Sequence, residues 1–397
     1  MELWHGPTCA FKDMALQLLP YLMTVSAKKT AEGKTIVILV ATSGDTGKAA
    51  LEGFKDVDKT KILVFYPVDG VSPMQKLQMT TQEGENVAVC AIHGNFDDAQ
   101  SAVKSIFTND EIKAELAKKN MMFSSANSIN WGRLVPQIVY YFSAYADLCK
   151  MGQLQVGEPM NVVVPTGNFG NILAGYYAKH MGLPIQTMVC ASNTNNVLTD
   201  FLKTGTYDRN RDFYATTSPS MDILISSNLE RLLYHMSGES DAAVRGWMTQ
   251  LAENGKYTVE PEVMAKIQNE FAAGYCDEAA VADTIHKTYT DQNYLCDTHT
   301  AVAVKVYRDY VAQTGDDLPT VIDSTASPYK FSKSVLTAVL EGNTPQLDEN
   351  DMVEELNRIT GAAVPAPLAA LKDKAVRFTQ VCDRENMSQM VFQLLNL

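Results

Sequence analysis

Lys12 has the sequence environment of a reactive amine. It lies in the segment 5–13, His-Gly-Pro-Thr-Cys-Ala-Phe-Lys-Asp, directly after Ala10 and Phe11 and before a helix-like run from Met14 to Leu19. Burial disfavours the charged form of a lysine, so its pKa falls and the amine becomes nucleophilic. Such an amine can form an imine with an aldehyde. Most lysines at a helix start are solvated, so this hypothesis depends on other polar segments of the chain.

The segment 165–171, Pro-Thr-Gly-Asn-Phe-Gly-Asn, has the composition of an anion-binding loop. It follows the apolar run Met160–Val164 and precedes a helical pattern that begins near Ile172. Its two glycines let backbone N–H groups turn towards an anion, and the positive end of the helix dipole favours negative charge there. The alternative is a strand-to-helix turn without a ligand, and the strand–turn–helix context favours the phosphate site.

The segment 127–133, Asn-Ser-Ile-Asn-Trp-Gly-Arg, combines two amides, a hydroxyl and a guanidinium at the entry to a helix. The planar donor fork of arginine suits phosphate. The alternative is an N-cap formed by asparagine or serine, followed by a solvated arginine.

The segment 41–47, Ala-Thr-Ser-Gly-Asp-Thr-Gly, is not a nucleotide P-loop, although a lysine follows it. A P-loop requires glycine where this chain has Thr42, and serine or threonine where it has Ala49.

Five segments, taken in order, resemble those of the threonine synthases, pyridoxal-phosphate enzymes of the tryptophan synthase β-like fold family. They are residues 5–13, 41–47, 127–133, 165–171 and 323–331. The resemblance covers most of the chain and is thin between about 196 and 290. Members of the family carry a substantial region before the lysine motif. We therefore expect that an upstream region is missing here, either by truncation or because it is a separate chain, and that the chain alone turns over poorly.

The resemblance implies a role for each candidate site residue. Lys12 would form the resting imine with pyridoxal 5'-phosphate and act as base and acid on the substrate. The other cofactor contacts would be Asp45 near the ring hydroxyl, Gly167, Asn168, Phe169, Gly170 and Asn171 at the phosphate, and Thr325 at the pyridine nitrogen, with Ser324 as its alternative. The substrate contacts would be Thr42, Ser43, Thr46, Asn127 and Arg133.

The implied reaction converts O-phospho-L-homoserine and water to L-threonine and phosphate, by γ-elimination and then β-addition of water. The enzyme would be a carbon–oxygen lyase acting on phosphates, in threonine biosynthesis. One alternative is another amino-acid lyase of this fold, such as a serine or threonine dehydratase, whose substrates carry no phosphate. Another is a non-catalytic protein that binds pyridoxal phosphate.

Continuous apolar runs alternate with helical patterns along the chain, which indicates parallel strands covered on both faces. The predicted strands are 36–41, 62–66, 87–92, 160–164, 186–191 and 321–323, with helices at 48–54, 97–107, 131–148 and 172–181. This order predicts an α/β fold of type II with two open parallel-sheet lobes and the cofactor between them. Ligands of such sheets gather at the carboxyl ends of the strands.

The predicted domains are a smaller lobe, 1–135, and a larger lobe, 136–397, which contains a mostly helical insertion at about 193–290. The length of 397 residues suggests roughly two or three domains. The aromatic cluster Tyr140-Tyr141-Phe142 is predicted to belong to the core.

Composition restricts the partners. A net charge of -13 argues against nucleic acid and anionic membranes, which require clustered lysine and arginine. The seven cysteines form no Cys-x-x-Cys pair and the six histidines have no metal-ligand spacing, so neither a disulfide framework nor a metal site is indicated. No apolar run is long enough to span a bilayer. We predict a cytoplasmic monomer or homodimer that acts on a small molecule.

Overall fold

The computed structural model describes residues 1–397, apart from the side chain of Asp97. The strands are β1 (Thr35–Ala41), β2 (Thr60–Pro67), β3 (Val87–His93), β4 (Met121–Ser124), β5 (Met160–Pro165), β6 (Ile185–Ser192), β7 (Thr206–Asp208), β8 (Lys256–Thr258), β9 (Phe271–Tyr275), β10 (Thr320–Ile322) and β11 (Val381–Asp383). The helices are α1 (Asp13–Thr30), α2 (Asp45–Phe54), α3 (Pro73–Thr80), α4 (Phe96–Thr108), α5 (Asp110–Lys118), α6 (Trp131–Leu134), α7 (Ile138–Lys150), α8 (Gly170–His180), α9 (Val197–Thr204), α10 (Leu229–Met236), α11 (Asp241–Asn254), α12 (Pro261–Glu270), α13 (Glu278–Gln292), α14 (Thr298–Thr314), α15 (Ser332–Val339), α16 (Glu349–Thr360), α17 (Ala366–Ala369) and α18 (Met387–Leu395).

The chain forms two compact units. Unit A comprises Trp4–Arg133, Tyr329–Ser332 and Leu347–Leu397, and unit B comprises Met1–Leu3, Leu134–Pro328 and Lys333–Gln346.

The C-terminal residues 347–397 lie in unit A, whereas the predicted division into 1–135 and 136–397 placed them in the larger lobe. The reason is strand pairing, because β11 adds to the edge of β3 in parallel register. Arg377 strengthens the attachment by donating hydrogen bonds of 2.7 Å to the carbonyl of Gln82 and 3.1 Å to that of Gly84.

Unit A is built on a five-stranded parallel sheet in the order β11-β3-β2-β1-β4. Alternate side chains of β1 enter different apolar clusters on the two faces of this sheet. Ile38 and Val40 pack into one cluster, and Val37 and Leu39 into the other. Both faces of the strand are therefore covered, which explains its continuous apolar sequence.

Unit B contains a parallel sheet in the order β10-β5-β6-β9, and β7 pairs with β8 in a separate antiparallel ribbon. The prediction of a helical insertion at 193–290 is wrong in one respect, since β9 within it is a strand of the main sheet. Tyr140 and Tyr141 belong to the core, as predicted, but Phe142 is more than one-third exposed.

The predicted α/β class is confirmed, and the strand and helix positions agree with the predicted runs to within a few residues. The candidate segments 41–47 and 165–171 follow the carboxyl ends of β1 and β5. Among the described residues, no helix is both long and apolar enough to cross a membrane.

Candidate active site

A short loop places Lys12 at the amino end of α1. Asp13, the first residue of the helix, accepts hydrogen bonds from the backbone N–H of Thr8 at 2.9 Å and from its hydroxyl at 2.5 Å. These bonds fold the loop back onto the helix start. The Lys12 side chain is buried, with 8% of the residue exposed, and its Nζ atom lies 4.6 Å from the ring centre of Phe11.

The carboxylate of Asp45 lies between two buried lysines of unit A. Its Oδ2 atom is 3.6 Å from Nζ of Lys12, and its Oδ1 atom is 2.6 Å from Nζ of Lys330. Lys330 has no exposed surface and also donates a 3.0 Å hydrogen bond to the carbonyl of Thr8. Gln75 donates a 2.8 Å hydrogen bond to the same carboxylate. The carboxylate of Asp45 therefore contacts the side chains of Lys12, Lys330 and Gln75.

Burial lowers the pKa of Lys12 to about 8, against the opposing attraction of Asp45, and the positive charges of Arg133 and Lys330 lower it further. The lowered pKa of Lys12 agrees with the prediction made from its apolar neighbours Ala10 and Phe11. A lysine with a pKa near neutrality can both release and accept a proton, which suits a nucleophile and a general acid–base group.

The loop 41–47 is shaped by Thr42. Its hydroxyl oxygen accepts hydrogen bonds from the backbone N–H groups of Gly44 at 2.9 Å and Gly47 at 2.8 Å. Gly44 has a φ of +124°, and a Cβ atom there would collide with Gln75, so both the conformation and the space require glycine. Thr42 therefore organises the loop, while Ser43 and Thr46 remain partly exposed.

Arg133 is buried, with 2% of the residue exposed, and its Nη1 atom donates a 2.6 Å hydrogen bond to the carbonyl of Ala126. Burial lowers the pKa of its guanidinium to about 10. The alternative of a solvated arginine is therefore wrong. Asn130 caps the helical turn, because its Oδ1 atom accepts a 2.9 Å hydrogen bond from the N–H of Gly132. Asn127 lies at the entry to this turn and is partly buried.

In unit B, the loop 165–171 is packed tightly against the residues around Ser226. The carbonyl of Gly167 accepts a 2.8 Å hydrogen bond from the Ser226 hydroxyl, and a Cβ atom on Gly167 would lie 2.6 Å from the carbonyl oxygen of Ser220. Asn168 accepts hydrogen bonds at its backbone carbonyl from Asn228, at 3.1 Å and 3.0 Å. The loop is therefore held by hydrogen bonds and close packing.

Phe169 has a left-handed backbone conformation, with a φ of +62°, and stands at the N-cap of α8. This conformation is uncommon for a residue with a side chain and marks local strain, which is typical of functional loops. The Phe169 side chain has no acceptor atom and makes no capping hydrogen bond to the N–H groups of the first turn.

Asn171 is tied by its side chain to a buried network and not directed to an open loop. Its Oδ1 atom accepts hydrogen bonds from the hydroxyls of Tyr140 and Tyr141, and its Nδ2 atom donates one of 3.1 Å to Asp323. Asp323 has no exposed surface, and burial raises the pKa of its carboxyl to about 6. Asn171 can therefore contact an anion only through its backbone N–H.

Thr325 and Ser324 are both buried after β10. The hydroxyl oxygen of Ser324 lies 3.3 Å from the Tyr294 hydroxyl and 3.1 Å from the Thr300 hydroxyl, which donate hydrogen bonds to it. The Ser324 oxygen is therefore engaged as an acceptor by two protein hydroxyls.

The sequence interpretation missed Lys330, Gln75 and Asp323. A signal for Lys330 was present, because it lies between Tyr329 and Phe331 just as Lys12 follows Ala10 and Phe11. Gln75 offered no local signal, since its importance arises from its hydrogen bond to Asp45 across 30 positions.

Each unit, considered separately, contains residues that suit pyridoxal phosphate. Unit A provides a buried, deprotonatable lysine, and unit B provides an uncapped helix start behind a glycine whose Cβ position is filled by backbone.

Comparison with known proteins identifies the family. Residues 1–268 match the model for "Pyridoxal-phosphate dependent enzyme", and residues 300–391 match that for "Threonine synthase, C-terminal". A threonine synthase from Pseudomonas aeruginosa is 39% identical over 378 residues, covering 94% of this chain and 76% of that protein. The chain belongs to the threonine synthase family. The predicted family, one of pyridoxal-phosphate-dependent enzymes, is confirmed, and so is pyridoxal phosphate as the cofactor.

Two further relatives are informative. The structure of PLP-bound threonine synthase from Brucella melitensis has a TM-score of 0.83 and 39% identity, and covers 99% of this chain and 77% of that one. This confirms the predicted fold type. The human "Threonine synthase-like 1" is 43% identical over 346 residues, covering 85% of this chain and 46% of that protein. The chain therefore spans about half the length of the threonine synthase-like 1 proteins that it matches.

Proposed function

We propose that this chain converts O-phospho-L-homoserine and water to L-threonine and phosphate. The observation that carries this proposal is the buried positive charge of unit A. Lys12, Lys330 and Arg133 are each at most 8% exposed, and the carboxylate of Asp45 is shared by both lysines. Buried charges require counter-charges, and an excess of buried cations suits a dianionic phosphate ester.

The same excess separates this proposal from a dehydratase. The substrates of a serine or threonine dehydratase carry a carboxylate but no phosphate, so they present less negative charge to the buried cations of unit A. The similarity to the threonine synthases of yeast and Pseudomonas, at 37% and 39% identity, supports threonine as the product.

Pyridoxal phosphate, when bound, acts as an electron sink for negative charge that develops on the substrate carbons. We assign its covalent attachment to Lys12, its phosphate to the backbone of residues 167–171, and its pyridine nitrogen to Thr325. Asp45 would face the ring hydroxyl as an acceptor, beside the two lysines.

Residues of the chain carry out the proton transfers and bind the substrate. The amine of Lys12 takes a proton from one substrate carbon and returns a proton to another, for which a pKa of about 8 is suitable. Arg133 and Asn127 hold the phosphate that leaves from the γ carbon. The hydroxyls and N–H groups of Ser43 and Thr46, in the loop shaped by Thr42, bind the substrate carboxylate. Water then adds at the β carbon.

The test is phosphate release from O-phospho-L-homoserine by the purified chain, with the amino-acid product identified by chromatography. We expect equal amounts of phosphate and threonine from the parent protein and neither from Lys12→Ala. Formation of 2-oxo acids from L-serine or L-threonine, without phosphate release from phosphohomoserine, would instead establish a dehydratase. Cofactor binding without any turnover would establish a non-catalytic protein.

We also propose a reducing compartment, the cytoplasm, as the site of action. All seven cysteines are free thiols in the structure, including Cys90 and Cys382, whose sulfur atoms are 3.8 Å apart. A monomer or homodimer remains the proposed state, and sedimentation of the purified chain tests it.

A further inference from the structure

Lys330 can influence Lys12 through Asp45, although the two lysines are far apart in the sequence. It has no exposed surface, and its Nζ atom lies 2.6 Å from Asp45 and donates a 3.0 Å hydrogen bond to the carbonyl of Thr8. The side chain is thus fixed at both an acidic group and the loop that carries Lys12. Lysine is costly to bury without a counter-charge, and Asp45 supplies it.

The two lysines do not share Asp45 equally. The separation is 2.6 Å for Lys330 and 3.6 Å for Lys12, so the carboxylate interacts more strongly with Lys330. A carboxylate paired only with Lys12 would hold a proton on that amine. The charges that face Lys12 are Asp45 on α2, Arg133 on α6 and Lys330, and of these Asp45 alone favours the protonated form.

The backbone of Lys330 is also held. Its carbonyl accepts a 2.7 Å hydrogen bond from the hydroxyl of Ser72, which is the N-cap of α3. The same helix carries Gln75, which donates to Asp45. Helix α3 therefore fixes both members of the Asp45–Lys330 pair, and their separation is set by the fold.

We propose that Lys330 is a positioning residue that captures the Asp45 carboxylate and so favours the uncharged, reactive form of the Lys12 amine. This inference rests on the proposed function only in taking Lys12 as the reacting amine. The protonation of Lys12 can be measured without turnover, so the two proposals can fail separately.

The experiment is competitive labelling of the full chain, freed of cofactor, with trace acetic anhydride between pH 6 and 11. Peptide mass spectrometry gives the midpoint pH at which Lys12 becomes reactive. Lys330→Met should raise this midpoint by about one pH unit, because Asp45 then pairs with Lys12 alone. Asp45→Asn should lower it, and Lys330→Arg should leave it close to the parent value because the charge is kept.

Lys48→Met is the matched control, because Lys48 is a buried lysine of unit A whose ion pair, 3.0 Å from Glu52, does not involve Asp45. Its midpoint for Lys12 should equal that of the parent. Rates of pyridoxal phosphate uptake as a function of pH should follow the same order as the midpoints.

An unchanged or lowered midpoint in folded Lys330→Met would overturn the proposal. If that variant does not fold by circular dichroism, Asp45→Asn decides alone, and a midpoint that fails to fall would overturn it. Opposite shifts in Lys330→Met and Asp45→Asn support it, since general damage to the fold would not move one amine in two directions.

Discussion

The hydroxyl oxygen of Tyr141 lies 2.7 Å from the Oδ1 atom of Asn171. This contact joins α7 to the first turn of α8, directly behind the loop 165–171. The same hydroxyl lies 3.1 Å from Oδ2 of Asp323, so one tyrosine links the ends of β5 and β10. Hydrogen bonds of this kind restrict the geometry of a buried site, although the Oδ1 atom of Asp323 has no hydrogen-bond partner.

Replacing Tyr141 by phenylalanine should therefore destabilise the protein. The change leaves Asn171 and Asp323 with fewer donors in a buried site, which typically costs about 1–3 kcal/mol. Urea unfolding measures the loss. Tyr234→Phe is the control, because Tyr234 is partly exposed and its loss should change stability by less than about 0.5 kcal/mol. Equal effects from the two variants would show that the network contributes little.

The contribution of Asp323 to stability should fall as the pH rises from about 4 to about 6. Burial raises the pKa of Asp323 to about 6, above its value in an unfolded chain, so the native state binds more protons in this interval. Asp323→Asn cannot titrate and should show a smaller fall over the same range. Urea unfolding at several pH values tests this, and parallel curves for parent and variant would contradict it.

The cofactor should be attached at Lys12. We expect the purified protein to be yellow and sodium borohydride to fix the cofactor on the peptide that contains Lys12. Lys12→Ala should abolish this labelling, whereas Lys76→Ala should retain it, because Lys76 is an exposed lysine. Labelling of a different lysine would rule out the assignment.

Arg133→Lys should weaken catalysis without loss of the cofactor. Lysine keeps the charge but lacks the planar fork, so kcat/KM for phosphohomoserine should fall by an amount equal to ~1.5–3 kcal/mol, which is roughly 10- to 150-fold. Cofactor titration should be unchanged. A variant that loses its colour but has normal turnover per bound cofactor would assign Arg133 to the cofactor instead.

Gly167→Val should lower the affinity for pyridoxal phosphate. A Cβ atom there would lie 2.6 Å from the Ser220 carbonyl, so the loop must shift away from its position. Gly246→Ala is the matched control in the same unit, since its Cβ would meet nothing within 4 Å in the middle of α11. Cofactor binding should be normal in the control. Unaltered titration in Gly167→Val would remove the loop from the site.

The sequence alone was informative where local pattern determines structure. The apolar runs at β1 and β5 predicted buried parallel strands because each run is continuous and ends at polar, glycine-containing loops. The apolar residues Ala10 and Phe11, directly before Lys12, likewise predicted that its side chain is buried.

Features that depend on distant pairing were not predictable. The strand β9, Phe-Ala-Ala-Gly-Tyr, has little β-branched sequence and becomes a strand because it pairs with β6. The link between Asp45 and Lys330 joins residues far apart in the chain, and no spacing rule connects them. For Asn171, composition indicated an anion contact, but the positions of Tyr140 and Tyr141 direct its amide into the core.

The position of β11 affects how the polypeptide folds while it is being synthesised. Cys90 on β3 and Cys382 on β11 are 292 positions apart, yet they lie side by side in the finished sheet. A ribosome adds about 5–20 residues per second, so the apolar edge of β3 is exposed on the nascent chain for roughly 15–60 s before its partner strand is made. Unpaired strand edges template aggregation. The yield of folded protein in a cell should therefore depend on how chaperones protect this edge during translation.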